Sequence, residues 1–237
     1  MKLVLVVCLH GNEKYGLDVA RYFQGNIPSF IGNPEAVVKN MRFINSDLNR
    51  IFPGKKGGNV EEKRAFYLTD ELKNYDYVLD LHSSSNNCPL FGIITQPNEE
   101  KINFAKNLGL KKIVLMPDSF ASGKALIDFC RCGISLEVGP HGRKENSDEV
   151  IGLIDNFLGE NIYKEDMIVF EIFKIIKQKY KNIKIKNFEK VEKNQMLTQD
   201  ETGAQFAEEE FVPVLVGEKA YHGILCLAAR KVNLKDR

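Results

Sequence analysis

The sequence predicts an α/β protein: a mostly parallel or mixed sheet with helices on both faces, followed by a small, mainly β C-terminal domain. Three observations lead there. Short runs rich in Val, Ile and Leu alternate with helical patterns through the first two thirds of the chain. With 237 residues, 43% of them apolar, the chain can fill one sizeable core or a core with a smaller companion. After about Gly159 the βα alternation stops and a Lys/Ile/Phe-rich texture begins.

Taken in order, strands are expected at Leu3 to Leu9, Ser29 to Gly32, Tyr77 to His82, Phe91 to Thr95, Ile113 to Met116 and Ile134 to Val138. Helices are expected at Tyr15 to Phe23, Val60 to Lys73, Glu99 to Leu108 and Asp148 to Leu158. The segment from Val60 is charged on one face and offers Ala65, Phe66, Leu68 and Leu72 for burial. Beyond Gly159, short apolar runs at Phe211 to Val216 and Ile224 to Ala229 are separated by Gly and charged residues, which suits short strands. This divides the chain into residues 1–159 and 160–237. The apolar residues of Met167 to Lys177 fit a helix as well as a strand.

The 33 basic and 32 acidic residues leave a formal net charge of +1, so nothing demands a nucleic acid or an anionic membrane as partner. The lysines between Lys174 and Lys193 are interleaved with Ile and Phe and read as a solvated face. No apolar run is long enough to span a bilayer, and Leu3 to Leu9 lacks the length of a signal segment, so a cytoplasmic location is expected. The five cysteines are irregularly spaced; Cys130 and Cys132 do not form a two-residue metal knuckle, and all five read as reduced thiols.

Four motifs could carry chemistry. His10-Gly11-Asn12-Glu13 follows the first strand and precedes a helix, a turn that can bring an imidazole and a carboxylate within about 2.0 to 2.2 Å of one zinc ion. Gly11 is expected to supply conformational freedom there. A His-x-x-Glu pair is common by chance, so taken alone a satisfied surface histidine is the commoner reading. Asp80-Leu81-His82 ends a strand, where side chains of an open α/β sheet point into the ligand crevice. Period-two alternation sets Asp80 on the face of His82, as a partner to it or to substrate. Two His and one Glu would leave a fourth zinc position open, the catalytic pattern. Glu137 lies in the apolar run Ser135-Leu136-Glu137-Val138-Gly139-Pro140, where a carboxylate needs a partner; a salt bridge is the alternative to a metal site. The run from Arg42 through Asn45, Asp47 and Asn49 to Arg50, preceded by Asn33-Pro34-Glu35-Ala36, is a donor-rich loop suited to carboxylates.

Together these motifs, in this order and spanning Leu3 to about Gly142, resemble the succinylglutamate desuccinylase/aspartoacylase family, relatives of the zinc carboxypeptidases. A weaker likeness continues in Phe211 to Val216 and in Glu218-Lys219-Ala220-Tyr221. The resemblance implies a zinc carboxypeptidase-like catalytic domain over residues 1–159 and a C-terminal domain over 160–237 that contributes to the substrate pocket. It implies one Zn2+ per chain held by His10, Glu13 and His82, and Glu137 as the base that activates water. Arg42 would polarise the scissile carbonyl, Asn49 and Arg50 would hold a substrate carboxylate, and Tyr221 would reach the pocket. The implied reaction is hydrolysis of the amide of a small acidic N-acylated substrate, an N-acyl amino acid or related acylated amine.

Family aspartoacylases carry another carboxylate-binding arginine ten residues before the catalytic glutamate, where the simplest register places Ile127; Lys124 and Arg131 are the candidate substitutes. His141 and His222 follow motif residues and read as surface or hydrogen-bonding groups. A zinc carboxypeptidase acting on peptides and a non-catalytic zinc-binding regulatory protein remain as rival readings. The acyl group, the amine, the pathway and any homo-oligomeric state lie beyond the sequence.

Overall fold

The computed structural model describes residues 2–117, 123–159 and 166–234. The expected boundary between 159 and 160 borders residues 160–165, outside that set.

Nine strands form one mixed, mainly parallel sheet. In chain order they are β1 (Leu3–Val7), β2 (Ser29–Ile31), β3 (Tyr77–Ser83), β4 (Phe91–Ile94), β5 (Lys112–Leu115), β6 (Cys132–Val138), β7 (Ile168–Lys177), β11 (Val212–Val214) and β12 (Ile224–Val232). Across the sheet the order is β11-β12-β7-β5-β4-β6-β3-β1-β2. The ladders β2/β1, β1/β3, β3/β6, β4/β5 and β5/β7 are parallel, whereas β4/β6, β7/β12 and β11/β12 are antiparallel. Within the ambiguous segment Met167 to Lys177, Ile168–Lys177 thus forms a strand, and it continues the large sheet. A separate antiparallel sheet joins β8 (Asn182–Ile183), β9 (Met196–Asp200) and β10 (Gly203–Phe206). The expected strand from Leu3 ends earlier than Leu9, because Cys8 turns to a φ of 53° and breaks the ladder.

Burial on both faces explains why β1 is apolar throughout. Leu3, Leu5 and Val7 pack with Leu79 and Leu81 of β3 against Tyr15 and Val19 of α1 (Tyr15–Tyr22). Phe104 of α4 (Glu99–Asn107) and Ile154 of α5 (Glu145–Leu158) join the same cluster. On the opposite face, Val4, Val6 and Val78 pack against Ala65, Leu68 and Leu72 of α3 (Val60–Leu72). Asn59 and Glu62 close a reciprocal capping box at the start of α3. Phe66, expected to be buried, is instead 44% exposed. At about 100° per residue the inward stripe runs 61, 65, 68, 72, and Phe66 falls outside it.

A short helix not expected from the sequence, α2 (Pro34–Lys39), follows β2. Asn33 caps it by accepting from the Ala36 amide, with Pro34 in the first turn. This helix decides the use of Gly11. Gly11 has no positive φ, so conformational freedom is not what it supplies. A Cβ there would sit 2.1 Å from the Ala36 carbonyl carbon and 2.4 Å from the Val37 nitrogen. Both are backbone atoms that cannot rotate aside. Gly11→Ala is therefore expected to destabilise the fold by about 2 kcal/mol or more, as overpacking does. Urea denaturation reads this directly, and an unchanged midpoint would show that α2 gives way freely.

Candidate metal centre and substrate pocket

His10 and Glu13 lie in the turn between β1 and α1, which is closed by the Glu13 amide donating to the His10 carbonyl at 3.1 Å. His82 lies near the carboxyl end of the neighbouring parallel strand β3, paired through Val7 with Leu81. Adjacent parallel strands end on the same side, so the three side chains converge. Their ligand atoms all lie within 4.8 Å of one another, and each residue is no more than 3% exposed. Glu13 bridges the imidazoles, with Oε1 2.8 Å from His10 Nδ1 and Oε2 3.0 Å from His82 Nδ1. The Ser83 amide also donates to Glu13 Oε2 at 3.2 Å.

The outer ring nitrogens are held as well. His82 Nε2 lies 2.7 Å from Asp80 Oδ2, and His10 Nε2 lies 3.1 Å from Asp47 Oδ1. Asp80 also accepts from the Ser135 hydroxyl at 3.1 Å, while its Oδ1 is buried without a hydrogen-bond partner. Such carboxylate–imidazole pairs orient metal-binding histidines and raise their basicity. Burial opposes charge on Glu13, yet His10 and His82 hold its pKa well below the carboxylate range. Burial likewise opposes charge on His82, yet Asp80 and Glu13 hold it well above the usual imidazole range. The cluster as built favours positive charge at its centre. Two imidazole nitrogens and a carboxylate oxygen, ringed by Asp47 and Asp80, fit a divalent cation of the zinc type.

The pocket beside this cluster gathers Arg42, Asn49, Arg50, Glu137, Glu218 and Tyr221. Glu137 on β6 stands directly across the ladder from His82. Burial pushes its pKa up to about 8; Glu13 and Glu218 add to the shift, against His82 and Arg42. Arg42 donates from Nε and Nη2 to Asp47 Oδ2 at 3.2 and 2.9 Å, and its Nη1 lies 3.7 Å from Glu13 Oε1. Asn49 accepts through its side-chain oxygen from the Leu126 amide at 2.9 Å and sets its Nδ2 3.5 Å from His82 Nε2. Arg50 donates to the Asn49 carbonyl at 2.7 Å and to the Tyr221 hydroxyl at 3.1 Å.

His10, Glu13, Arg42, Asn49, Arg50, His82, Glu137 and Tyr221 thus all line one pocket, and three further carboxylates hold its parts together. Asp47 ties Arg42 to His10, although within the Arg42 to Arg50 run it carried no assigned role. Glu218 accepts from the Ser85 amide and hydroxyl at 2.8 Å each, joining the loop after His82 to the loop bearing Tyr221. Glu61 is fully buried in the first turn of α3 and accepts from the Ile44 amide at 2.6 Å, the Asn45 amide at 3.2 Å and Asn33 Nδ2 at 3.2 Å. No sequence signal marks Glu61, because an acidic residue in the first turn of a charged helix looks solvated. Ile127 does line the pocket. Arg131 is 65% exposed and pairs with Asp76 and Glu100, and Lys124 is exposed outside the lining. His141 contacts the Ser83 hydroxyl through Nδ1 at 2.7 Å, and His222 is exposed. The five cysteines are free, and burial raises the thiol pKa of each above its ordinary value. Among the described residues, no helix is long and apolar enough to cross a membrane.

Residues 1–151 match the profile of the succinylglutamate desuccinylase/aspartoacylase catalytic domain. A probable aspartoacylase from Acaryochloris marina is 29% identical over 162 residues, 59% of this chain and 55% of that protein. The N-acyl-aromatic-L-amino acid amidohydrolase (carboxylate-forming) of Rattus norvegicus is 29% identical over 162 residues, 55% of this chain and 50% of that protein. The matched stretch spans about half the length of these curated relatives. Murine aminoacylase 3 superposes with a TM-score of 0.80 at 18% identity, covering 98% of this chain and 95% of that one. The succinylglutamate desuccinylase/aspartoacylase of Rhodobacter sphaeroides gives a TM-score of 0.76 at 14% identity, covering 98% and 86%. These superpositions establish the shared fold, and the profile covers well over half of the chain: the protein belongs to the succinylglutamate desuccinylase/aspartoacylase family.

Proposed function

We propose that this protein is a zinc-dependent deacylase that hydrolyses the amide bond of a small N-acyl amino acid or related acylated amine. The observation that carries the reading is the placement of Glu137. A carboxylate with a raised pKa stands across one ladder from His82, beside a buried His10–Glu13–His82 cluster and within a pocket that holds two arginines. His10, Glu13 and His82 would hold the ion, and a zinc ion there would supply Lewis acidity for the acyl carbonyl and a lowered pKa for a water.

The chain's own groups account for the rest. Glu137 accepts a proton from the attacking water and returns it to the nitrogen of the leaving amine, a task suited to a carboxylate tuned toward neutrality. Arg42, fixed by its two bonds to Asp47, turns its remaining guanidinium edge toward Glu13 and the pocket, where it stabilises charge developing on the carbonyl oxygen. Arg50, steadied by Tyr221, offers a planar fork to a substrate carboxylate, and Asn49 packs between it and His82. In this reading residues 160–237 serve as a C-terminal unit that brings Glu218 and Tyr221 to a catalytic unit formed by residues 1–159.

Purified protein is expected to carry about one zinc per chain, removable by chelation. His82→Ala should empty the site, and near-stoichiometric zinc in that variant, measured by elemental analysis, would sink the ligand assignment. Asp80→Asn should keep the fold and weaken zinc binding by roughly 10- to 100-fold, read by competition with a chelator.

Glu137→Gln should retain zinc and fold while losing about 10²-fold or more in turnover, because an amide cannot take the proton. A variant as active as the parent on the best substrate would place the base elsewhere.

Arg50→Lys keeps the charge and loses the fork, so kcat/KM for a carboxylate substrate should fall by roughly 10- to 150-fold, the worth of a charge-assisted hydrogen bond. The matching substrate amide should be poor for the parent and nearly indifferent to the change. Equal losses on the two substrates would show that Arg50 supports the loop without reading a carboxylate.

A further inference from the structure

The cavity beside the metal cluster, about 200 Å³, is lined by two chemically different sets of side chains. The charged set is Glu13, Glu137 and Glu218 with Arg42 and Arg50. Arg42 is committed to Asp47 through two of its nitrogens, with Glu13 near its third. Arg50 makes two hydrogen bonds, to the Asn49 carbonyl and the Tyr221 hydroxyl, which leaves part of its fork for a ligand. Much of the remaining lining is apolar: Ile93 of β4, Met116 after β5, Ile127, Ile175 of β7 and Leu227 of β12. The buried Thr95 hydroxyl, which has no hydrogen-bond partner, adds one neutral polar atom to the lining.

A substrate bearing two carboxylates meets a difficulty here. With one at Arg50, the second would rest on the apolar part of the lining, stripped of water, or beside the carboxyl groups of Glu137 and Glu218. Neither Arg131 nor Lys124 supplies the missing cation, since the first is exposed and paired elsewhere and the second lies outside the lining.

We infer that the ligand of this pocket carries a single carboxylate, held by Arg50, and an apolar remainder lying against Ile93, Met116, Ile127, Ile175 and Leu227. The substrate class is then a monoanionic N-acyl amino acid, distinct from N-acyl derivatives with a carboxylate on both the amino-acid side and the side chain or acyl group. Naming the amide rests on the deacylase reading, whereas the preference for one carboxylate is a property of binding.

Calorimetry on the zinc-loaded Glu137→Gln protein separates the two. That variant removes one of the three lining carboxyl groups, so any bias it introduces favours the dianions. N-acetyl-L-leucine is compared with N-acetyl-L-aspartate to vary the amine side, and N-hexanoylglycine with N-succinylglycine to vary the acyl side. In each pair that binds, the monoanion is expected to bind about 10-fold or more tightly, the effect of leaving one buried charge without a partner. The inference falls if a dianion equals or exceeds its partner, or if neither monoanion binds. Monoanion preference in binding without hydrolysis by the parent protein would overturn the deacylase reading and leave the pocket's selectivity standing.

Discussion

The carboxylate of Glu13, buried between the imidazoles of His10 and His82, is the interaction on which the rest of the site depends. An ionised carboxylate out of water is tolerated only when every oxygen has a charged or hydrogen-bonding partner. Glu13 meets that requirement with the two imidazoles, the Ser83 amide and the nearby Arg42. These partners come from three stretches of chain, the turn after β1, the end of β3 and the loop bearing Arg42, so the requirement fixes how those stretches meet. The pairing of Val7 with Leu81 brings the β1 turn level with His82, and the pairing of His82 with Glu137 extends the same line to β6. A slip of one residue in either ladder would turn Asp80, His82 and Glu137 to the opposite face, among the apolar side chains packed under α1 and α5.

The same alternation explains why one sheet face supports both a core and a site. Val4, Val6 and Val78 are covered by α3, but farther along β3 that face carries Asp80 and His82. There the cover changes from a helix to the polar loop of residues 42–50. Glu61 anchors that loop from α3 by accepting two of its backbone amides, and Asp47 joins Arg42 to His10 from within it. On the far side, Glu218 clasps Ser85 directly after the His82 strand. Three acidic residues outside the metal cluster thus position groups that face the pocket, and a cation at the centre would balance part of their charge.

Much of this was legible in the sequence wherever the information is local. The alternation of apolar runs and helical patterns marks a mainly parallel sheet, because strand and helix periods are properties of neighbouring residues. The residues that converge on the pocket stand out because a His-x-x-Glu turn, an Asp-Leu-His strand end and a carboxylate in an apolar run are odd where they occur. α2 was missed because an Asn-Pro pair reads equally as a turn. β9 and β10 were missed because Met196–Asp200 and Gly203–Phe206 carry too few apolar residues to show alternation, their pairing coming from each other.

What the sequence by itself determined, then, is the kind of each element and the inventory of reactive groups. Only the tertiary structure decided which groups share a space. Arg50 meets Tyr221 across 171 residues, and Glu218 meets Ser85 across 133, distances over which no local pattern carries information. The structure also decided that Ile127 faces the pocket while Arg131 turns outward to Asp76 and Glu100. Composition counts a cation wherever it falls in the chain, but a pocket's charge depends on which side chains the packing turns inward, and that is set by strand register and by the loops anchored to it.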